Sequence, residues 1–168
     1  MKENLGILVA LIAIVAFWAV NPVTSKAFLQ TKNLLNVLRQ ISTNVLLACG
    51  MTMVIILGGI DLSVGSIIAL SGCISAGCVL FYELPVFVAM LVGVLIGVLI
   101  GAFNGLVISK TTIPAFIVTL ATMNIARGLA RVYTGGNPLS VSSDAWKFIG
   151  AGSTFGVPNP VWVMVIVL

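Results

Sequence analysis

Residues able to do acid–base or metal chemistry are scarce in this chain, which has no histidine and four acidic residues. One of those four, Asp61, stands alone between Glu3 and Glu83, inside Gly58-Gly59-Ile60-Asp61-Leu62-Ser63 and between two long apolar runs. A charge at membrane depth costs roughly 2.5–3.5 kcal/mol on insertion scales, so its position needs a physical reason. Two reasons are available. Asp61 or the Ser63 hydroxyl can accept from the free amides that begin the next helix, while Gly58 and Gly59 relax the end of the preceding one. Alternatively the break, with Gly65 and Ser66 just beyond it, shapes or gates a polar passage, because non-helical backbone at depth is tolerated only when buried in protein or lining a cavity.

A second polar cluster lies further on: Thr119, Thr122, Asn124, Arg127 and Arg131 interrupt an otherwise apolar stretch. Thr119, Met123 and Arg127 follow one another at i, i+4 and i+8 and so are expected on one helical face. With Thr122 and Asn124 they suit either the lining of a polar route or hydrogen bonds between helices. Catalysis is not expected. There is no nucleophile elbow or metal-ligand spacing, and Lys110-Thr111 lacks the preceding glycine register of a phosphate loop. Cys49, Cys73 and Cys78 all sit in apolar runs, which excludes a disulfide framework or a zinc site and leaves them as packing residues. No cofactor is implied.

The elements that must position these residues are helices in a bilayer. Hydrophobic residues make up 60% of the chain and charged residues 7%, against about 25% charged in soluble domains, and the mean hydropathy is +1.24. The eight Lys and Arg are scattered singly, which excludes a nucleic-acid patch. The reading is an all-α polytopic membrane protein, a bundle of about five complete transmembrane helices plus the start of a sixth. The expected spans are 5–20, 41–59, 64–81, 86–108, 113–133 and 161–168. The first is expected to be retained, with Trp18 as an interfacial anchor, since Ala16-Phe17-Trp18-Ala19 is a poor signal-peptide cleavage site. Residues 22–40 mix Lys26, Lys32 and Arg39 with leucines and suit an amphipathic stretch at the interface, capped by Thr31 or Asn33. Thr112 and the Ser142-Ser143-Asp144 run are expected to cap the helices that follow them. Small residues recur every fourth position at Gly65, Ala69, Cys73 and Gly77, and again at Gly93, Gly97, Gly101 and Gly105. Such ridges let helix backbones approach closely and predict tight helix packing. The last span holds eight residues where a crossing needs about twenty, so the chain is expected to end inside its sixth helix.

The stretch GMTMVIILGGIDLSVGSIIALSG resembles the signature of the ribose-type permeases of bacterial ATP-binding-cassette importers. NPVTSKAFLQTKNLLNVLRQIS, NGLVISKTTIPAFIVTLATMNIARGLARVYTGGNPLS and FGVPNPVWVM resemble further landmarks of that family, in order and across nearly the whole chain. The resemblance implies a non-enzymatic conduit for a simple sugar in the bacterial inner membrane, whose hydroxyls would be matched by Thr119, Thr122 and Asn124. It implies a periplasmic sugar-binding protein, a separate ATP-binding subunit, a second permease subunit forming a homodimer, and surrounding lipid. It places the N-terminus in the cytoplasm and the segment from Thr134 to Pro160 outside, where either Asp144, Trp146 and Lys147 would meet the binding protein or the segment is a re-entrant or interfacial cover with Trp146 and Trp162 as belt residues. The charges Lys26, Lys32 and Arg39 argue the opposite orientation by the positive-inside rule, but three separated charges on an amphipathic stretch carry less weight than the family pattern. Nothing in the chain matches the family's second half with its cytoplasmic coupling segment, so a runner-up reading is a non-transporting membrane scaffold or a gene fragment. The sugar itself is not specified by these residues.

Overall fold

The computed structural model describes residues 2–20 and 30–168, with the side chains of 2–5 and 18–20 left aside. The helices are α1 (Lys2–Val20), α2 (Thr31–Ile56), α3 (Val64–Leu80), α4 (Val86–Lys110), α5 (Ala115–Thr134), α6 (Asp144–Ala151) and α7 (Asn159–Val167). A two-residue antiparallel pair, β1 (Ser153–Thr154) and β2 (Val157–Pro158), separates α6 from α7. By length and hydropathy α2, α4 and α5 can cross a membrane, whereas α3 and the stretch Gly6–Phe17 of α1 are shorter apolar helices.

Several boundaries differ from expectation. α2 begins at Thr31, so Lys32 and Arg39 belong to a continuous helix of 26 residues and not to a separate interfacial stretch. Residues 22–29, including Lys26, and the Trp18 side chain lie outside the described residues. The expected caps at Thr31, Asn33, Thr112 and Ser142 do not form: α2, α5 and α6 start after Gln30, Pro114 and Ser143, none with a side-chain cap bond. Pro114 explains its own case, because its fixed φ already sets the chain for helical entry; Thr111 Oγ1 instead accepts from the Ile113 amide at 3.3 Å.

The molecule is apolar outside and polar inside. Ser42, Ser63, Ser66, Ser75, Asn104, Thr119 and Thr122 are buried, while Phe87, Val94, Leu99 and Leu106 on α4 are exposed. A lipid-facing surface has no reason to hide apolar side chains, and polar ones must find partners within the protein. The core is correspondingly lean, built on Leu70, Ala126 and Ala130 with Cys73, Ile74 and Ile100 against it.

The helices fall into two packing groups. α3, α4 and α5 pack on one another, and α2 packs on α7, which also carries α6 and the β pair. Arg39 ties the second group together: its guanidinium donates to Asn36 Oδ1 at 3.1 Å and to the carbonyl of Ala151, the last residue of α6, at 2.7 Å. The first part of α2 and the end of α6 therefore lie at the same end of the bundle.

The glycine ridges pack only in part. A Cβ on Gly77 would strike the Tyr133 ring and one on Gly93 would strike Ser75 Oγ, so these two positions are sites of close approach. Gly65, Gly97, Gly101 and Gly105 meet nothing within 4 Å, so among the described residues the expected fourfold ridge on α4 makes a close approach only at Gly93. The reason is geometric. A step of four residues overshoots a turn by about 40°, so a ridge that meets α3 at Gly93 has wound well away from it by Gly105.

Candidate functional site

The break between α2 and α3 is built by its own residues first. Gly58 has φ +77°, a left-handed conformation open to glycine without strain. Its amide donates to Ile55 O at 2.9 Å and that of Gly59 to Val54 O at 3.0 Å. This pair of bonds is a Schellman closure, which satisfies the last carbonyls of α2 and ends it. Beyond it, Asp61 Oδ1 accepts from the Ser63 amide at 2.7 Å and from the Ser63 hydroxyl at 2.6 Å. Asp61 thus folds the loop onto Ser63, whose own carbonyl opens α3 by accepting from Ser66 and Ile67 at 3.0 and 2.9 Å. The expected cap is corrected in one respect: neither side chain accepts from the first amides of α3.

The Ser63 hydroxyl accepts instead from Asn104 Nδ2 on α4 at 3.2 Å, and Asn104 Oδ1 accepts from the Thr122 hydroxyl on α5 at 2.6 Å. Ser63, Asn104 and Thr122 are all buried. Thr119, one turn earlier on α5 and 2% exposed, reaches the same loop: its Oγ1 accepts from the Leu62 amide and lies within reach of Ile60 O, both at 3.2 Å. The break is therefore held by α4 and α5 through three neutral side chains. Asn104 was not singled out from the sequence, although the signal was there: it is the only amide side chain in α4. Ser66 Oγ is buried without a partner.

The position of the break along its neighbouring helices follows from lengths. At 1.5 Å per residue, the 17 residues of α3 rise about 25 Å, less than a hydrocarbon core of about 30 Å. Asn104 lies six residues before Lys110, so the Ser63–Asn104 bond sits about 9 Å in from the end of α4. A cavity of about 350 Å³ adjoins it, with Asp61, Asn104, Gly101, Gly105 and Thr119 in its wall. Gly101 and Gly105, the open positions of the ridge, are thus part of a cavity and not of a helix contact.

The polar row on α5 is divided. Thr119 and Thr122 are buried and use their hydroxyls within the protein, Met123 is half-buried, and Asn124 and Arg127 are exposed. Asn124 Nδ2 donates to Leu120 O in its own helix at 3.0 Å. The expected common face of Thr119, Met123 and Arg127 separates because each fourth residue advances by about 40°. On α6, Asp144 and Lys147 are exposed, whereas Trp146 is half-buried and shares a cleft with Val86 and Met90 at the start of α4. Among the described residues no group of side chains could hold a metal ion.

Comparison with known proteins gives this arrangement a family. Residues 33–167 match the family described as "Branched-chain amino acid transport system / permease component". The chain is 45% identical over 164 residues to the ribose import permease protein RbsC of Haemophilus influenzae, covering 95% of this chain and 49% of that protein. To the protein of the same name from Bacillus subtilis it is 49% identical over 146 residues, covering 86% of this chain and 45% of that one. To the L-arabinose transport system permease protein AraH of Escherichia coli it is 41% identical over 128 residues, covering 76% of this chain and 39% of the relative. The chain spans about half the length of the curated relatives it matches. No solved structure matches. With its helix break, its buried polar clamp and its multi-pass apolar exterior, the chain belongs to this family of transport-system permease components.

Proposed function

We propose that the chain forms part of the membrane pathway of an ATP-binding-cassette importer for a simple sugar, a ribose-like monosaccharide. The observation that carries this reading is the 45% and 49% identity to two ribose import permeases, sustained over most of the chain. The site is compatible with it: neutral hydroxyl and amide groups surround the break, and the conduit needs no chemistry of its own. The energy source is a separate ATP-binding subunit, the substrate arrives on a periplasmic sugar-binding protein, and a second permease subunit completes the pathway. The N-terminus is cytoplasmic, so α6 and the β pair face the periplasm. There Asp144 and Lys147, three residues apart on the exposed face of α6, are the contacts for the binding protein, while Trp146 anchors α6 against α4. Asn124 and Arg127, exposed on α5, face the rest of the pathway.

The test is uptake of labelled ribose by vesicles carrying the full-length permease with its binding protein and ATPase, in competition with unlabelled arabinose, allose and leucine. ATP-dependent ribose uptake resistant to leucine is the expected result. Competition by leucine and not by sugars would assign an amino acid in place of the sugar, and ATP-independent accumulation would remove the ATPase from the scheme.

A further inference from the structure

Besides the cleft that Trp146 shares with Val86 and Met90 and the bonds of Thr119 to the break, the two packing groups are joined by two chain crossings, and both crossings carry glycines at positive φ. Gly58, at +77°, links α2 to the break, and Gly135 and Gly136, at +61° and +77°, link α5 to the segment that leads into α6. Residues that absorb large backbone changes at element ends are the usual hinges of domain motion. The cavity of about 350 Å³ lies in the gap between the groups, with Val54 of α2 and Leu57 just beyond its end on one side and Gly101, Asn104 and Thr119 on the other. Open space at a hinge permits movement that a packed core would forbid.

One side chain bridges this gap in an unusual way. Thr119 Oγ1 accepts from the Leu62 amide, but its single proton has more than one acceptor in reach: Ile60 O in the break at 3.2 Å and Ala115 O in its own helix at 2.9 Å. A threonine in a helix can always return its proton to the carbonyl four residues back. If the break moves away, Thr119 leaves no buried hydroxyl unsatisfied, and the freed amide belongs to Leu62, an exposed residue next to the cavity-lining Ile60 and Asp61.

We propose that Thr119 is a swivel latch. Its hydroxyl holds the Ile60–Leu62 loop in the state seen here and releases it when α2, α6 and α7 rock as a body against α3–α5 about Gly58 and Gly135–Gly136. This rests on the importer reading, in which the two groups must change their relation during each transport cycle. Thr119 is a positioning residue, acting through the loop and touching no substrate.

The experiment uses the full-length permease with its ATPase and binding protein in nanodiscs, with Cys49, Cys73 and Cys78 replaced by Ser. Spin labels are placed on cysteines substituted for the exposed Met53 of α2 and Leu106 of α4. Two distances, exchanging in population between nucleotide-free and ATP-bound states, are expected. Thr119→Val should shift the resting ratio about threefold, the size of an average hydrogen bond inside a membrane protein, and Thr119→Ser should restore it. A single distance in every nucleotide state overturns the hinge, and an unchanged ratio in Thr119→Val overturns the latch. If Thr119→Val does not accumulate, the ratio in Thr119→Ser and the wild-type distances decide: Thr119→Ser departing from wild type overturns the latch. Sugar uptake with one fixed distance would sink this proposal alone, whereas exchanging distances without sugar uptake would sink the importer reading and leave the hinge standing.

Discussion

Thr122 Oγ1 lies 2.6 Å from Asn104 Oδ1, and the other end of that amide, Nδ2, donates to Ser63 Oγ at 3.2 Å. One side chain on α4 therefore fastens α5 to the entry of α3, with every polar atom of the Asn104 amide head engaged or within the protein. In a bilayer such groups have no water to fall back on, so the bundle organises around them and not around bulky apolar residues.

Removing either partner of that bond should cost stability, and removing both should cost less than the sum. Asn104→Leu and Thr122→Val, taken singly and together through a double-mutant cycle in detergent-driven unfolding of the full-length permease, should show a coupling of about 0.6 kcal/mol, with about 1.7 as an upper bound. Strict additivity would mean that the two side chains do not share a bond in the membrane.

Asp61 works in the break through one carboxylate oxygen, which an amide oxygen can replace. Asp61→Asn should insert and accumulate at wild-type levels, whereas Asp61→Ala, which leaves the Ser63 amide and hydroxyl without their acceptor, should accumulate less. Normal accumulation of Asp61→Asn with lost uptake would add a role for the charge itself in the pathway.

Glycine positions on the two ridges should separate into two classes. Gly77→Ala must displace the Tyr133 ring and Gly93→Ala must turn Ser75 Oγ away, at a cost of about 1–3 kcal/mol typical of overpacking. Gly97→Ala meets nothing within this chain and should be neutral or stabilising by up to about 1 kcal/mol from helix propensity. Thermal unfolding in detergent measures all three, and equal losses at Gly93 and Gly97 would contradict the geometry.

The bond from Arg39 to Ala151 O requires that the start of α2 and the end of α6 share a side of the membrane. Reporter fusions at residues 30 and 145 should report the same compartment, the periplasm under the proposed orientation. Opposite signals would break the fold as described, and cytoplasmic signals at both would invert its orientation while leaving the fold intact.

Crosslinking tests the proposed docking face. A photoreactive residue at Asp144 or Lys147 should capture the sugar-binding protein in the full-length system, while one at Phe103, exposed in the middle of the apolar α4, should not. Capture at all three positions would indicate non-specific proximity.

Much of this molecule is determined by sequence alone. Long apolar runs punctuated by Gly58-Gly59, Pro85, Pro114 and Gly135-Gly136 specify helices and their breaks, because a bilayer admits few other structures and these residues end or start them locally. The family was legible in the same break, since its glycines, Asp61 and Ser63 act on their near neighbours and so stand close together in the chain itself. Tertiary structure alone decided which polar residues serve the break. Ser63, Asn104 and Thr122 are far apart in sequence and meet only because α3, α4 and α5 pack together, and Thr119 and Thr122 were drawn to that centre while Asn124 and Arg127 were left on the outside. It also decided how far each glycine ridge is used, because fourfold spacing fixes a helix's own surface but not the partner it will reach before the ridge winds away. Local rules write the helices and their ends; the contacts between distant helices choose which residues become the site.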